Sequence, residues 1–440
     1  MKEHLHSVTL DKDKCCGCTN CIKRCPTEAI RVRDGKARII SERCIDCGEC
    51  IRVCPHHAKK AISDKMSVLK NWECTVALPP PALFGQFNNL DDLDIVLTGL
   101  KKIGFDYVYE VPRGAELVSD ATRIVMENEK LEPPVISSAC PAVTRLIAIR
   151  FPDLVENVLP LKAPIEVAAM MAKKKVSEET GLPLNKIGAF FISPCPAKVT
   201  DINNPIGNKS SWLDGAISVS TIYPLLVEAM DKLSPQEIET IALSGVIGVS
   251  WGSSGGEAAA TLTDKYLAAD GIENVIHVLE ELESGRINDV NFLELNACSG
   301  GCVGGVLNVE NAYVAQARLH RLRKYLPVSQ NHMGVNAVQL LDHMRWTKKL
   351  QFSPVMNLSN NLEEAMTMMS EMESIKAHFP NLDCGSCGAP SCRAMAEDVV
   401  KGDAKESDCI FVLREQVKDV ADMLSSIGGG SVFGKGDKKL

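Results

Sequence analysis

Cys15, Cys18, Cys21 and Cys25 stand as C-x2-C-x2-C-x3-C-P, and Cys44, Cys47, Cys50 and Cys54 repeat the run, again with proline after the fourth. Thiolates at this spacing hold iron–sulfur cubes: three ligands come from one tight loop and the fourth from the other run. The crossover assigns Cys15, Cys18, Cys21 and Cys54 to one [4Fe–4S] cube and Cys44, Cys47, Cys50 and Cys25 to a second. Zinc is the competing ion, but it takes two short ligand pairs, and two complete runs do not match that. A third group, Cys384, Cys387, Cys392 and Cys409, occurs as DCGSCGAPSC and then, after a spacer, DC. Gly385, Gly388 and Pro390 supply the tight backbone needed to wrap another cube. The remaining cysteines are scattered, and a lone cysteine is ordinarily a small buried hydrophobe. Cys16 and Cys74 are read that way, as structural and core residues.

Cys140, Cys195, Cys298 and Cys302 differ in their setting. FDYVYEV, PPVISSA, KIGAFFIS and VNFLELNA read as buried strands. Between them DDLDIVLTGLKKI, AELVSDATRIVMENEK and PIEVAAMMAKKKVSEE have helical periodicity. Alternation of this kind predicts an α/β domain with mainly parallel sheet, whose sites collect beyond the carboxyl ends of strands. Cys140 follows VISSA, Cys195 follows FFISP, and Cys298 and Cys302 follow FLELNA, so the four could converge on one site. The glycines of ACSGGCVGG let backbone approach a bulky inorganic group, and a helix opening there would put both thiolates on one side. A phosphate loop is the competing reading, but no GK[ST] is present. AIRVRDGKARII reads as a hairpin turning at Asp34-Gly35, and RAMAEDVVKG as a helix leading toward Cys409.

The 440 residues divide accordingly: 1–65 for the two-cluster module, 66–350 for the α/β domain and 360–424 for the third cysteine group. A Gly- and Lys-rich tail, 425–440, is expected to be disordered. A formal net charge of −8 argues against nucleic acid as a partner, and KKK at 173–175 reads as a solvated helix face. No apolar stretch is long enough to span a membrane, and MKEHLHSVTLDKDK has no hydrophobic signal core. A cytoplasmic location is therefore expected, where eighteen cysteines mean ligation rather than disulfides.

Three segments together resemble the active-site motifs of [FeFe]-hydrogenases. SSACP at 137–141 resembles TSCCP, PCPAK at 194–198 resembles PCxxK, and ACSGGCVGG at 297–305 resembles ACxxGCxxGG. WGSSGGEAAA at 251–260 is similar to the family's FGxTGGVMEAA, and the likeness covers about residues 10–340. DCGSCGAPSC resembles the small (Fe–S) domain of anaerobic electron-transfer and corrinoid proteins. The resemblance implies an α/β catalytic domain of two lobes, an N-terminal α+β ferredoxin-like domain with two [4Fe–4S] clusters, and a small, mostly helical C-terminal [4Fe–4S] domain. It implies that Cys140, Cys195, Cys298 and Cys302 hold the cube of an H-cluster. Cys302 would bridge that cube to a two-iron subsite carrying CO, CN⁻ and azadithiolate, installed by hydrogenase maturation proteins. Lys198 would pair with a cyanide, Pro81 and Ala82 would line the subsite through backbone groups, and Trp251 would take an aromatic position beside it. The implied substrates are H2 and protons, with electrons passing through the N-terminal clusters to a ferredoxin-like or other redox partner.

The chain also departs from the family pattern. Ala139 stands where fast members keep a proton-carrying cysteine, and Thr122 and Val125 stand where two glutamates continue the relay. Ser193 and Asn296 replace the methionines that flank the subsite. These losses resemble the sensory branch without a PAS domain (group D-like), which implies slow turnover, a role in H2 or redox sensing and a signalling partner. Ser137, Ser138, Glu257 and Glu294 are candidate substitute carriers, Glu257 reading first as a structural carboxylate beside Gly255-Gly256. The alternative is a multi-cluster electron carrier with only a cube in the middle domain, as in related eukaryotic iron–sulfur assembly proteins. The lysine of PCPAK speaks against it.

Overall fold

In a computed structural model, which describes residues 6–129, 131–334 and 337–427, the N-terminal cysteine runs are framed by four short strands. They are β1 (Val8–Leu10), β2 (Ile30–Arg33), β3 (Lys36–Ile39) and β4 (Lys59–Ala61). β1 pairs antiparallel with β4, and β2 with β3. The β2–β3 turn falls at Asp34-Gly35, with φ of 53° and 68°, the left-handed pair that a two-residue hairpin turn requires.

Two parallel sheets follow, using β5 (Cys74–Leu78), β6 (Tyr107–Val108), β7 (Val135–Ile136), β8 (Ile187–Ser193), β9 (Gly215–Ser218), β10 (Tyr266–Asp270) and β11 (Phe292–Asn296). One sheet has the order β6-β5-β8-β9 and the other β10-β11-β7, with every pairing parallel. All seven residues of β8 are buried, as a central strand covered on both faces demands. FDYVYEV is mostly not strand: only Tyr107 and Val108 pair, and a helix begins at Val111 with proline in its first turn.

Helix Pro164–Thr180 lies against the first sheet and stops at Gly181, whose φ is 73°. Its lysine run is not a solvated face throughout. Lys173 is buried, pairs with Asp214 at 2.6 Å and lies 5.7 Å from the Trp72 ring centre. The helix turns that side toward the sheet, so the charge is neutralised inside rather than hydrated.

The N-terminal module is keyed to the middle of the chain. Asp46 accepts hydrogen bonds from Ser7 N, Val8 N and the Thr200 hydroxyl at 3.0, 2.9 and 2.7 Å. Arg52 donates to the Gly304 carbonyl at 2.8 Å. The C-terminal helices, Leu362–Ala377, Cys392–Val400 and Ile410–Ile427, carry the third cysteine group back onto β2. Arg31 Nε donates to both Asp398 oxygens at 2.9 and 2.7 Å, Arg33 reaches the same carboxylate at 2.5 Å, and Arg43 pairs with Glu397. Arg31 and Asp398 side chains are only 7% and 8% exposed. Val32 N donates to the Gly388 carbonyl at 2.8 Å, and Arg33 to that of Cys387 at 2.9 Å. The expected disorder from 425 does not begin there, since the last helix runs to Ile427; 428–440 lie outside the described residues. Among the described residues no helix is long and apolar enough to cross a membrane.

Candidate metal centre

The four scattered cysteines follow the carboxyl ends of β7, β8 and β11 and meet at one cavity. Cys140 and Cys195 are the residues directly preceding helices Pro141–Arg150 and Pro196–Asn203, each opened by its proline. Cys298 follows β11, and Cys302 starts a single 3-10 turn. No helix opens at ACSGGC. Gly300 and Gly301 take φ of 81° and 87°, which turns the chain instead. A Cβ on Gly301 would lie 2.5 Å from Ser254 N, and one on Gly305 2.2 Å from the Pro194 carbonyl. Glycine is required because this loop presses against both PCPAK and WGSSGG.

The four cysteines line one cavity of about 90 Å³. Ala139, Lys198, Trp251, Asn296, Pro80, Pro81, Glu257 and Glu294 complete much of its wall. Ser193 and Ala82 do not line it. The Ser193 hydroxyl is turned onto the Cys195 carbonyl at 2.7 Å, and Ala82 is fully buried behind Pro81. Trp251 is oriented by its indole N–H, which donates to the Ser119 hydroxyl at 3.1 Å.

Burial pushes the Cys195 thiol up to about 11 and the Cys302 thiol up to about 12, with the charges of neighbouring cysteines adding to it. Four thiols enclosed together repel one another once ionised, so the donor set suits a soft, highly charged cluster that takes all four. Lys198 donates to the Ala139 carbonyl at 2.7 Å. Glu257 accepts from the Ser137 hydroxyl at 2.7 Å, and the same hydroxyl oxygen accepts from Ala139 N at 3.1 Å. Glu294 is held by Gly255 N, Ala258 N and Asn296 Nδ2 at 2.9, 2.8 and 2.8 Å. Burial raises the Glu257 carboxyl well above the usual range, and the charge of Glu294 raises it further. Glu257 is thus a cavity-wall acid rather than a purely structural one. Ser138 faces elsewhere, donating to the Leu161 carbonyl at 2.8 Å. Thr122 and Val125 are buried in helix Val111–Asn128 and do not line the cavity.

In the N-terminal module Cys15, Cys18, Cys21 and Cys54 surround one small cavity. Cys47 lies close enough to Cys25, Cys50 and Cys44 for their charges to raise it, after burial. Cys16 is exposed and has no packing role; its sulfur lies within 4.8 Å of Cys18 and His56 ligand atoms. Cys387, Cys392 and Cys409 share the apolar cluster of the C-terminal helices, and Cys384 and Cys409 charges act on Cys387. Sequence reasoning missed Lys59, which lines the first of these cavities. Its position in a repeat was the available signal.

Parallel sheets with thiols at their strand ends, joined to a two-run cysteine module, define an iron–sulfur protein architecture. The family described as "Iron only hydrogenase large subunit, C-terminal domain" matches residues 74–266 and 225–306, and the chain belongs to it. A 4Fe-4S dicluster domain matches residues 7–55, and an Fe–S cluster domain residues 379–411. The chain is 26% identical over 374 residues to Iron hydrogenase 1 of Clostridium pasteurianum, covering 69% of this chain and 65% of that protein, just under two thirds of its length. It is 26% identical to the periplasmic [Fe] hydrogenase large subunit of Nitratidesulfovibrio vulgaris, over 69% of this chain and 86% of that one. It is 23% identical to the cytosolic Fe-S cluster assembly factor NAR1 of Scheffersomyces stipitis, over 41% and 38%. A solved variant of the [FeFe]-hydrogenase HydA1 from Chlamydomonas reinhardtii aligns with a TM-score of 0.49 at 17% identity, covering 64% of this chain and 95% of that one.

Proposed function

We propose that this is a cytoplasmic H2-reactive oxidoreductase of low turnover, of the sensory branch without a PAS domain, with an H-cluster held by Cys140, Cys195, Cys298 and Cys302. The observation that carries the reading is the extent of the cavity. At about 90 Å³ it is larger than the cavity of about 20 Å³ enclosed by Cys15, Cys18, Cys21 and Cys54, and beyond the four thiols it is lined by Pro81, Phe191, Lys198, Trp251 and Asn296. Cys140, Cys195, Cys298 and Cys302 would hold the cluster, and its two-iron subsite would supply reversible heterolytic cleavage of H2. Every other contribution comes from the chain. Lys198 offers a positive charge to an anionic group, fixed by its bond to the Ala139 carbonyl. Burial favours the neutral, proton-holding form of Glu257. Ser137 links that acid to the backbone N–H of Ala139 at the cavity edge. Ala139 itself has no proton to give, which makes proton delivery the slow step. Pro81, Phe191 and Trp251 keep the wall apolar and exclude water.

Electrons would pass through the module of residues 1–65, whose Arg52 touches the turn that carries Cys302, to a ferredoxin-like or other redox partner. The module of residues 360–424 would hold a further cube on the far side of β2. Maturation proteins would supply the two-iron group, and a signalling partner would receive the output.

The test is infrared spectroscopy of the reconstituted full-length chain, given the two-iron cofactor anaerobically and then H2. CO and CN⁻ bands that respond to H2, together with slow turnover, are expected. Absence of those bands leaves the multi-cluster electron carrier as the function.

A further inference from the structure

The two N-terminal runs end in matching segments, CPTEAI at 25–30 and CPHHAK at 54–59. Lys59 therefore occupies the position that Ile30 holds in the other half. Both residues are 3% exposed, and Ile30 belongs to the apolar core of the module. A lysine at an isoleucine position normally threads its amine out to water. Lys59 does not: its Nζ is enclosed and has no hydrogen-bond partner. Among the described residues no carboxylate lies within ion-pair distance of it, although the adjacent Lys60 pairs with Asp11 at 2.7 Å.

A buried ammonium without an anion is costly, and packing gives no reason for it where isoleucine fills the equivalent place. What surrounds Lys59 is sulfur. It lines the cavity enclosed by Cys15, Cys18, Cys21 and Cys54.

We propose that Lys59 is a potential-setting residue whose buried ammonium is partnered by the negative charge of the cluster on Cys15, Cys18, Cys21 and Cys54. The inference rests on the reading of the module as a two-cube carrier. One-electron reduction makes a cluster more negative, and a fixed neighbouring cation favours that state. Lys59 thus raises the reduction potential of the first cluster, whose cavity it lines, while Ile30 brings no charge of its own to the second run. The second run is the one keyed to the catalytic domain through Asp46 and Arg52.

The test is a potentiometric titration of the reconstituted full-length chain with dithionite, followed by electron paramagnetic resonance. Lys59→Met and Lys59→Gln should move the midpoint of one N-terminal cluster to more negative potential, with iron and sulfide content unchanged. Lys59→Arg should keep the wild-type value. Unchanged midpoints in the Met and Gln variants, or an equal shift in the Arg variant, would overturn the proposal. So would loss of the cluster in both neutral variants, which would make Lys59 a structural residue. A wild-type chain that binds fewer than two N-terminal cubes would instead overturn the two-cube reading.

Discussion

The Lys198 ammonium donates to the carbonyl oxygen of Ala139 at 2.7 Å, so the backbone beside Cys140 is fixed by a contact that does not involve the side chain at 139. The Ser137 hydroxyl fixes the amide side of the same residue. A different side chain at 139 would meet a prepared backbone.

Ala139→Cys is therefore expected to raise H2 turnover without disturbing the fold. A positioned acid–base group contributes about 10²–10⁴-fold. With Thr122 and Val125 still in place of the outer relay, an increase of about a hundredfold at most is expected, the low end of that contribution. Viologen-linked H2 assays on equally loaded proteins would measure it. An unchanged rate would show that the missing thiol is not the bottleneck.

Glu257→Gln keeps the size and the Ser137 contact but removes the transferable proton. Turnover should fall by about 10²-fold, while cluster content and infrared band positions change little. Retention of full activity would remove Glu257 from proton handling and leave it a wall residue.

Asp398→Ala leaves the Arg31 and Arg33 guanidiniums facing an emptied site. Breaking a buried pair by removing one partner costs about 3–5 kcal/mol, and here the loss should fall on the contact between the C-terminal module and β2. Hydrogen exchange at Val32 N, bonded to the Gly388 carbonyl, should accelerate, while β8 amides should not. Equal protection in the variant would mean that the pair does not hold the module.

Glu110 gives a pH signature. Its carboxylate accepts from Leu243 N at 2.7 Å and from the Ser244 hydroxyl, yet burial pushes it from 4.5 up to about 6. Such a group's stabilising contribution is full below pH 4.5 and is lost as pH rises through about 6. The shift corresponds to about 2 kcal/mol. Wild-type stability relative to Glu110→Gln should therefore decline by about that amount between acid and neutral pH, measured as paired denaturation midpoints. A difference that does not change with pH would rule out the buried titration.

The strand-end positions of Cys140, Cys195, Cys298 and Cys302 and their meeting at one cavity were legible because cysteine spacing and apolar runs are local signals. Two buried lysines were not. Lys59 and Lys173 each sit in a run of lysines, KK and KKK, which reads as solvated, and only tertiary packing turns one member inward. The carboxylates Asp94, Glu110 and Glu116 were equally hidden. They accept the backbone amides of Ile241, Ala242, Leu243 and Gly245, and so hang the segment that leads to Trp251. Asn296 was placed on the cavity wall and is found there, but Ser193 and Ala82 are not. A position two residues before a ligand does not say which way its side chain turns.

A Cβ at residue 388 would lie 2.0 Å from the Val32 carbonyl oxygen, so the seat of the C-terminal module on the hairpin is cut to the shape of a glycine. That seat has a consequence for traffic. The β2 side of the hairpin is occupied by the chain itself and is closed to a visitor. Around the first cysteine group, Cys16, Cys18 and His56 are exposed. Among the described residues, the hairpin side of the module is thus covered from within the chain, and an exposed face remains beside the first cysteine group.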